Sequence, residues 1–292
     1  MDIQILKNFL LVAKERNITR AAEILHIAQP TLSRQMQNLE EEYGKQLLYR
    51  ENKTIRLTEH GRILQQRADE IIYLFEKSRS EINPVPDTVS GEIRISLCEA
   101  AAVDSIYALA KQFQDENPLT VFRFFNTSSE TSSGLITDGL ADMGLLFGYA
   151  DSSRLNSHRL IKEESRAVLM RKDHPLAAKE EISMEDLKGW PLVVYQDAVR
   201  GVPSMIEYGL TADDMKATFT TTFSAVKMVE QGIGIATIID GTVDSSIVTS
   251  STNLVTRPMN DAPSIPTYLA WKRNGTLSHQ ASLFLDLLTA NI

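Results

Sequence analysis

Cysteine is nearly absent from this chain: 292 residues hold one, Cys98, so no internal disulfide can form. That suits a reducing compartment, and a cytoplasmic protein is expected. Long apolar runs are absent as well, none approaching the roughly 20 residues that cross a bilayer. No basic-then-apolar leader opens the sequence, so neither membrane insertion nor export is expected. Histidine is sparse. His26, His60, His158, His174 and His279 are scattered without metal-ligand spacing, and His174, in a turn before Pro175, reads as structural. No Gly-x-Ser-x-Gly elbow or phosphate loop is present. Gly232-Ile233-Gly234 lacks the third glycine of a dinucleotide site and reads as a tight turn after a helix. These gaps argue against an enzyme, a bound cofactor and a metal.

An excess of positive charge is missing too. The formal net charge is −8, which at first disfavours a nucleic-acid partner. The distribution changes that reading. Residues 1–89 carry 13 basic and 13 acidic side chains, and residues 90–292 carry 17 and 25. The acidic excess lies wholly in the second part. Any nucleic-acid affinity of the first part must come from a local basic surface and must depend strongly on salt. The length exceeds what one core usually occupies, so two or more domains are expected.

What is present is concentrated between Asn17 and Arg62. Ahead of it, Asp2–Lys14 reads as an amphipathic helix with Ile3, Leu6, Phe9, Leu10 and Ala13 inward. Thr19–Leu25 is a short alanine-rich helix that Asn17 or Thr19 can cap. Gln29–Tyr43 is a second helix, with Leu32, Met36, Leu39 and Tyr43 on one core-facing side. Its opposite side carries Gln29, Ser33 and Gln37, with Arg34 beside them, and Pro30 suits the first turn. Such a face fits a DNA major groove, where glutamine matches adenine and arginine matches guanine. Gln37 alone reads equally well as a solvated residue, and Glu40-Glu41-Glu42 reads as a solvated run. Two short strands, Gln46–Tyr49 and Ile55–Leu57, flank a polar tip in which Arg50 and Lys53, with Arg56 beside them, suit phosphates. The pattern is a helix-turn-helix with a wing.

Ala21-Ala22, Leu25, Gln29-Pro30, Leu32-Ser33-Arg34-Gln35, Leu39-Glu40, Gly44, Arg50 and Leu57-Thr58-Glu59-x-Gly61 occur in one ungapped order. In this the stretch resembles the N-terminal domain of LysR-type transcriptional regulators. The resemblance implies DNA contacts at Gln29, Pro30, Ser33 and Arg34 and in the wing at Lys53; Thr31, Gln37 and Arg50 complete the expected DNA-facing set. Two positions depart from the family. Ala28 stands where a capping hydroxyl is common, a loss of about 0.5–2 kcal/mol. Lys53 stands where arginine is common, which keeps the charge without the fork.

Thr58 to about Ile82 reads as a long helix capped by Thr58 and stopped by Asn83-Pro84. Leu64, Ala68, Ile71, Phe75 and Ile82 follow a heptad seam. The helix either packs on its own domain or pairs two chains. The second is preferred, with Leu64, Ala68, Ile71 and Phe75 as dimer residues, because helix-turn-helix proteins commonly read paired half-sites. Pro84, Pro86, Asp87, Ser90 and Gly91 read as a hinge.

From Glu92 onward strands and helices alternate, implying an α/β sheet, largely parallel. Strands are expected at Ile93–Leu97, Val121–Phe125, Met143–Phe147, Ala167–Arg171, Leu192–Tyr195, Ala217–Thr221 and Thr267–Trp271. Helices are expected at Val103–Glu116, Ser129–Leu140, Met184–Leu187, Pro203–Tyr208, Ser224–Gln231 and Ser278–Leu288. Leu140-Ala141-Asp142-Met143-Gly144, Arg171-Lys172-Asp173-His174-Pro175-Leu176-Ala177 and Glu230-Gln231-Gly232-Ile233-Gly234-Ile235-Ala236 resemble the family's effector domain, which is similar to a periplasmic binding protein. Ile239-Asp240 departs from it, where proline is common.

The expected organisation is therefore a winged helix-turn-helix over 1–58, a linker helix and hinge over 59–89, and a two-lobed α/β effector domain over 90–292. Lobe I spans about 90–161 plus 267–292, and lobe II about 162–266. Ligands in such sheets sit at strand C-termini and helix N-termini. That points to Cys98, Glu99 and Ala100, to Thr127, Ser128 and Ser129, to Phe147 and Tyr149, and to Arg200, Val202 and Ser224. The three hydroxyls at 127–129 are equally well explained as a plain helix cap, and Cys98 as a buried small residue. Glu99, if it faces the cleft, disfavours a dianion unless Arg200 compensates, and favours a zwitterion, an amine or a less polar ligand. A solute-binding protein alone would leave the first part unexplained. The resemblance implies a small-molecule effector, a homodimer paired again into a tetramer, an imperfect inverted repeat of double-stranded DNA, contact with RNA polymerase, and control of a neighbouring gene and its own.

Overall fold

The computed structural model divides the chain into two compact units, Met1–Val85 and Pro86–Ile292. It describes residues 2–51, 54–82, 89–148, 150–195, 213–243 and 253–292.

The first unit contains α1 (Ile3–Glu15), α2 (Ile18–Ile24), α3 (Gln29–Tyr43), β1 (Leu48–Glu51), β2 (Thr54–Leu57) and α4 (Glu59–Ile82). Local chemistry sets the boundaries. The Asp2 carboxylate accepts from the Gln4 N–H at 2.9 Å and caps α1. Asn17, and not Thr19, caps α2, accepting from Thr19 N at 2.9 Å and Arg20 N at 3.1 Å. α3 begins at Ala28 without a side-chain cap, carries Pro30 in its first turn, and ends at Gly44, whose φ of +61° suits glycine. Leu6, Phe9, Val12, Ala21, Ala22, Leu32, Met36 and Leu39 form the core. Val12 is buried, whereas Leu10 and Ala13 are only partly so. Tyr43 departs from expectation: as the last residue of α3 it is 44% exposed and lies in a surface groove with Ile63 and Ile71. β1 starts two residues later than expected, because the Gln46 carbonyl is taken by the Thr58 hydroxyl at 2.7 Å.

α4 starts where Thr58 Oγ1 accepts from Gly61 N at 3.0 Å. A Cβ on Gly61 would stand 2.1 Å from the Leu47 carbonyl oxygen, so only glycine lets the helix begin this close to the wing. Leu64 and Ala68 are buried in the core of their own unit. This corrects their expected place on an exposed seam: α4 lies against α1, and Lys7 pairs with Glu76 farther along that contact at 2.5 Å. Ile63, Ile71, Leu74, Phe75 and Ile82 remain exposed.

The second unit contains β3 (Ser90–Leu97), α5 (Val103–Glu116), β4 (Leu119–Asn126), α6 (Ser129–Thr137), β5 (Met143–Phe147), β6 (Leu155–Arg159), β7 (Arg166–Arg171), β8 (Leu192–Tyr195), β9 (Met215–Phe219), α7 (Thr222–Glu230), β10 (Ile235–Ile239), β11 (Leu254–Pro258), β12 (Thr267–Lys272) and α8 (His279–Asn291). They form two five-stranded sheets, ordered β4-β3-β5-β12-β6 and β11-β7-β10-β8-β9. The largely parallel arrangement expected is in fact mixed. β3 runs parallel to β4 and β5, but β12 is antiparallel to β5 and β6. β8 runs parallel to β9 and β10, but β7 is antiparallel to β10 and β11. β7 and β12 are the first strands after each crossing between sheets, and both enter against the prevailing direction. Ser90 and Gly91, expected in a hinge, belong to β3 and pair with Leu119 and Thr120. β6, β10 and β11 had no counterpart in the sequence reading. The other hinge residues, Pro84, Pro86 and Asp87, and the expected helix Pro203–Tyr208 lie outside the described residues.

α5 and α8 cover one face of the first sheet through Ile106, Phe113, Phe284 and Leu288, and α6 covers the other through Ile136. α7 covers the second sheet through Ala225, Val226 and Val229. The chain passes twice between the sheets, and the passages pair. Glu164 and Ile265 exchange backbone hydrogen bonds at 3.0 and 2.8 Å. Among the described residues no helix is long and apolar enough to cross a membrane.

Candidate functional site

Two surfaces stand out, one in each unit. On α3, Gln29, Pro30, Thr31, Arg34 and Gln37 are exposed and Ser33 is half-buried, while Leu32, Met36 and Leu39 point into the core. The polar residues therefore form the outward face that the periodicity demanded. The helix is held in rotation by a buried amide. Asn8, 3% exposed, donates to Gln35 Oε1 at 2.8 Å and accepts from Gln4 Nε2 at 3.0 Å, tying α1 to α3.

The wing is anchored to the same helix. Glu40 is not part of a solvated run. Its Oε1 accepts from Leu47 N at 2.8 Å and Leu48 N at 3.0 Å, satisfying two donors of nearly buried residues. Its Oε2 lies 3.8 Å from Arg50, and Arg50 Nη1 donates to Ser33 Oγ at 3.2 Å. Arg50 thus links wing to helix instead of standing free at the tip. Lys53 lies outside the described residues.

In the second unit, Cys98, Glu99 and Ala100 follow β3 and line a cleft between the sheets, as expected from their position. Glu99 does face it. Its Oε2 accepts from the Thr222 backbone N–H and from Thr222 Oγ1 at 2.5 Å, so a side chain of one sheet caps the helix of the other. The N-terminal turn of α5 is filled likewise. Glu164, 5% exposed, accepts from Ala101 N and Ala102 N, each at 3.2 Å. Burial pushes the Glu164 carboxyl above the usual range, against those two donors. Phe147 lines a small inner cavity of about 30 Å³ that also reaches Glu99 and Arg166.

Other expected cleft residues go elsewhere. Ser128 Oγ accepts from Thr131 N at 3.1 Å and caps α6. Ser129 Oγ accepts from Phe147 N at 2.9 Å, and Thr127 donates to the Ser128 carbonyl at 3.2 Å. These hydroxyls are used within the fold, and neither cavity is lined by them. Ser224 bonds Thr221 at 3.0 Å, and Thr222 takes the cleft position instead. Tyr149, Arg200 and Val202 lie outside the described residues. Missed by the sequence reading were Thr237, Asp240 and Tyr195. Thr237 and its neighbours on β10 were concealed in a segment noted only for its glycines.

A three-helix unit with a wing and an outward polar helix, joined in one chain to a two-sheet unit with a cleft, defines a ligand-responsive DNA-binding regulator. Residues 3–62 match the family described as "Bacterial regulatory helix-turn-helix protein, lysR family", and residues 86–292 match "LysR substrate binding domain". The chain belongs to the LysR family of transcriptional regulators; it is a DNA-binding regulator with an effector-binding domain and not an enzyme. It is 28% identical over 281 residues to the HTH-type transcriptional regulator BudR of Raoultella terrigena, covering 94% of this chain and 95% of that one. It is 29% identical over 233 residues to the HTH-type transcriptional regulator CysL of Bacillus subtilis, covering 80% and 77%. Its fold is shared with full-length CbnR crystallised with its target DNA, with a TM-score of 0.68 at 17% identity over 100% of both chains.

Proposed function

We propose that α3 enters the major groove of an imperfect inverted repeat, with Gln29, Ser33, Arg34 and Gln37 at base edges and Pro30, Thr31, Arg50 and Lys53 along the backbone. The observation that supports this is the outward polar face of α3, locked in rotation by Asn8 and Gln35. Ile71 and Phe75, with Ile63, Leu74 and Ile82, form the dimer surface, and two dimers make the tetramer. The resemblance to the family supports contact with RNA polymerase and control of the protein's own gene and a neighbour. A small molecule in the cleft at Glu99 acts by binding one arrangement of the two sheets more tightly than another, shifting an existing equilibrium.

The experiment is a gel shift on the DNA upstream of the protein's own gene at two salt concentrations, with Arg34→Ala beside the native chain. The native protein should give a specific complex that weakens with salt. The variant should lose about 1–3 kcal/mol of discrimination. An unchanged sequence preference in Arg34→Ala would refute the placement of α3. No specific complex at either salt would refute autoregulation.

A further inference from the structure

Residues 1–89 balance 13 basic side chains against 13 acidic ones, so a hold on DNA needs a local excess of cations. α3 supplies little of it. Arg34 is its one cation, and Arg50 beside it is shared with Glu40 at 3.8 Å. The excess lies on another side of the unit. A groove of about 740 Å³ is lined by Arg16 at the end of α1, by Tyr49 and Arg56 on the wing, and by Arg62 and Gln65 on α4. Among the described residues no acidic side chain lines it. All three arginines and Tyr49 are exposed. Arg20, Arg50, Arg67 and Arg79 each have a carboxylate partner, whereas Arg16, Arg56 and Arg62 have none among the described residues.

The backbone aims this groove. Across the wing, Arg50 stands opposite Ile55 and Tyr49 opposite Arg56, and successive residues of a strand point to opposite faces. Arg50 bonds Ser33 on α3 and Ile55 is in the core, so Tyr49 and Arg56 occupy the wing's other face, away from α3. Arg16 is tied to that wing. Its carbonyl accepts from Ile55 N at 2.8 Å and its N–H donates to the Val12 carbonyl, which holds it at a φ of +51° that glycine would adopt without strain. Guanidinium forks match phosphate oxygens, and a tyrosine hydroxyl among them can donate to a phosphate as well.

We propose that this groove holds phosphates of the DNA flanking the segment read by α3, on the far side of the wing, so that Arg16, Arg56 and Arg62 supply affinity while α3 supplies sequence preference. This rests on the DNA-binding reading, and the two fail separately. Binding of the intact protein is followed by fluorescence anisotropy over a salt series, on the DNA upstream of its own gene and on an unrelated duplex of equal length. Each phosphate contact adds about 0.9 to the slope of log affinity against log salt. The native advantage over a triple variant, Arg16→Gly with Arg56→Ala and Arg62→Ala, should therefore shrink about 40-fold between about 50 and 200 mM salt, and equally on both duplexes. Each single substitution should lower the slope by about 0.9, which keeps the test if the triple variant fails to fold. Lysine at all three positions should keep the native slope, since a phosphate takes an ammonium as a point charge. Ethylation of phosphates outside the repeat should weaken the native complex and leave the triple variant's unchanged. The proposal is overturned if the arginine substitutions keep the native slope, if the lysine set loses as much as the triple variant, or if ethylation interferes inside the repeat alone. A native slope in the triple variant beside lost preference in Arg34→Ala strikes the groove and leaves the α3 reading. A lowered slope beside unchanged preference in Arg34→Ala does the reverse.

Discussion

Glu40 should be the most costly carboxylate to remove from the first unit. It looks like its neighbours Glu41 and Glu42 in sequence, but it alone reaches back to the Leu47 and Leu48 N–H groups at 2.8 and 3.0 Å. Both residues are almost fully buried, at 2% and 1% exposure, so water cannot replace the lost acceptor. Two charge-assisted bonds at about 1.5 kcal/mol each give roughly 3 kcal/mol. The ion pair with Arg50 is long and partly solvated and adds little. Alanine returns a few tenths of a kcal/mol in helix propensity. Glu40→Ala should therefore cost about 2–3 kcal/mol, Glu40→Gln about 1 kcal/mol because an amide oxygen remains, and Glu41→Ala almost nothing. Urea unfolding followed by far-ultraviolet circular dichroism measures the ledger, and native-state hydrogen exchange at Leu47 and Leu48 localises it. Glu40→Ala within 0.5 kcal/mol of Glu41→Ala, with unchanged exchange at both amides, would refute the reasoning.

Gly61→Ala should be destabilising despite alanine's better helix propensity, since the new methyl meets a backbone carbonyl at 2.1 Å; a net loss of about 1–3 kcal/mol is expected, and a higher Tm would contradict it. Ile71→Asp should lower the oligomeric state in sedimentation without unfolding the chain, because Ile71 is 37% exposed; a native sedimentation coefficient would remove α4 from the interface. Asp186 has its carboxyl held at about 2 by bonds from Lys179 and from the backbone and hydroxyl of Ser183. A depressed folded value stabilises above the ordinary 3.8 and loses that stabilisation as pH falls towards 2. Asp186→Asn should therefore be less stable than the native chain at pH 6 and match it near pH 2, a convergence that parallel thermal melts would reveal or deny.

Elements with punctuation at both ends were legible in the sequence. Pro30 and Gly44 bracket α3, Asn117-Pro118 stops α5, and the run Met143–Phe147 is a strand buried along its whole length. β6 was not legible, because Leu155–Arg159 has one apolar residue and a strand hydrogen-bonded on one side alone needs no more. β10 was hidden for the opposite reason. Ile235–Ile239 is nearly continuous apolar sequence without alternation, and it directly follows a glycine turn. The cleft was half legible. Position after β3 was enough to nominate Cys98, Glu99 and Ala100, but Glu99 meets Thr222 across 123 residues and Glu164 meets Ala102 across 62. No local period reports such partners. The hydroxyls at 127–129 misled because a helix cap and a ligand cradle use the same residue types.

α4 does two jobs with one rod. Its first half, through Leu64 and Ala68, is bolted into the unit that presents α3, and its far half offers the exposed apolar stripe. Twenty-four residues of helix span about 36 Å. A tilt of about 10° applied at the far end therefore moves the near end by roughly 6 Å, close to the rise of two base pairs at about 3.4 Å each. If two chains pair through these far halves as proposed, a small change in how those ends meet would be geared up into a change of which bases the two α3 helices can reach.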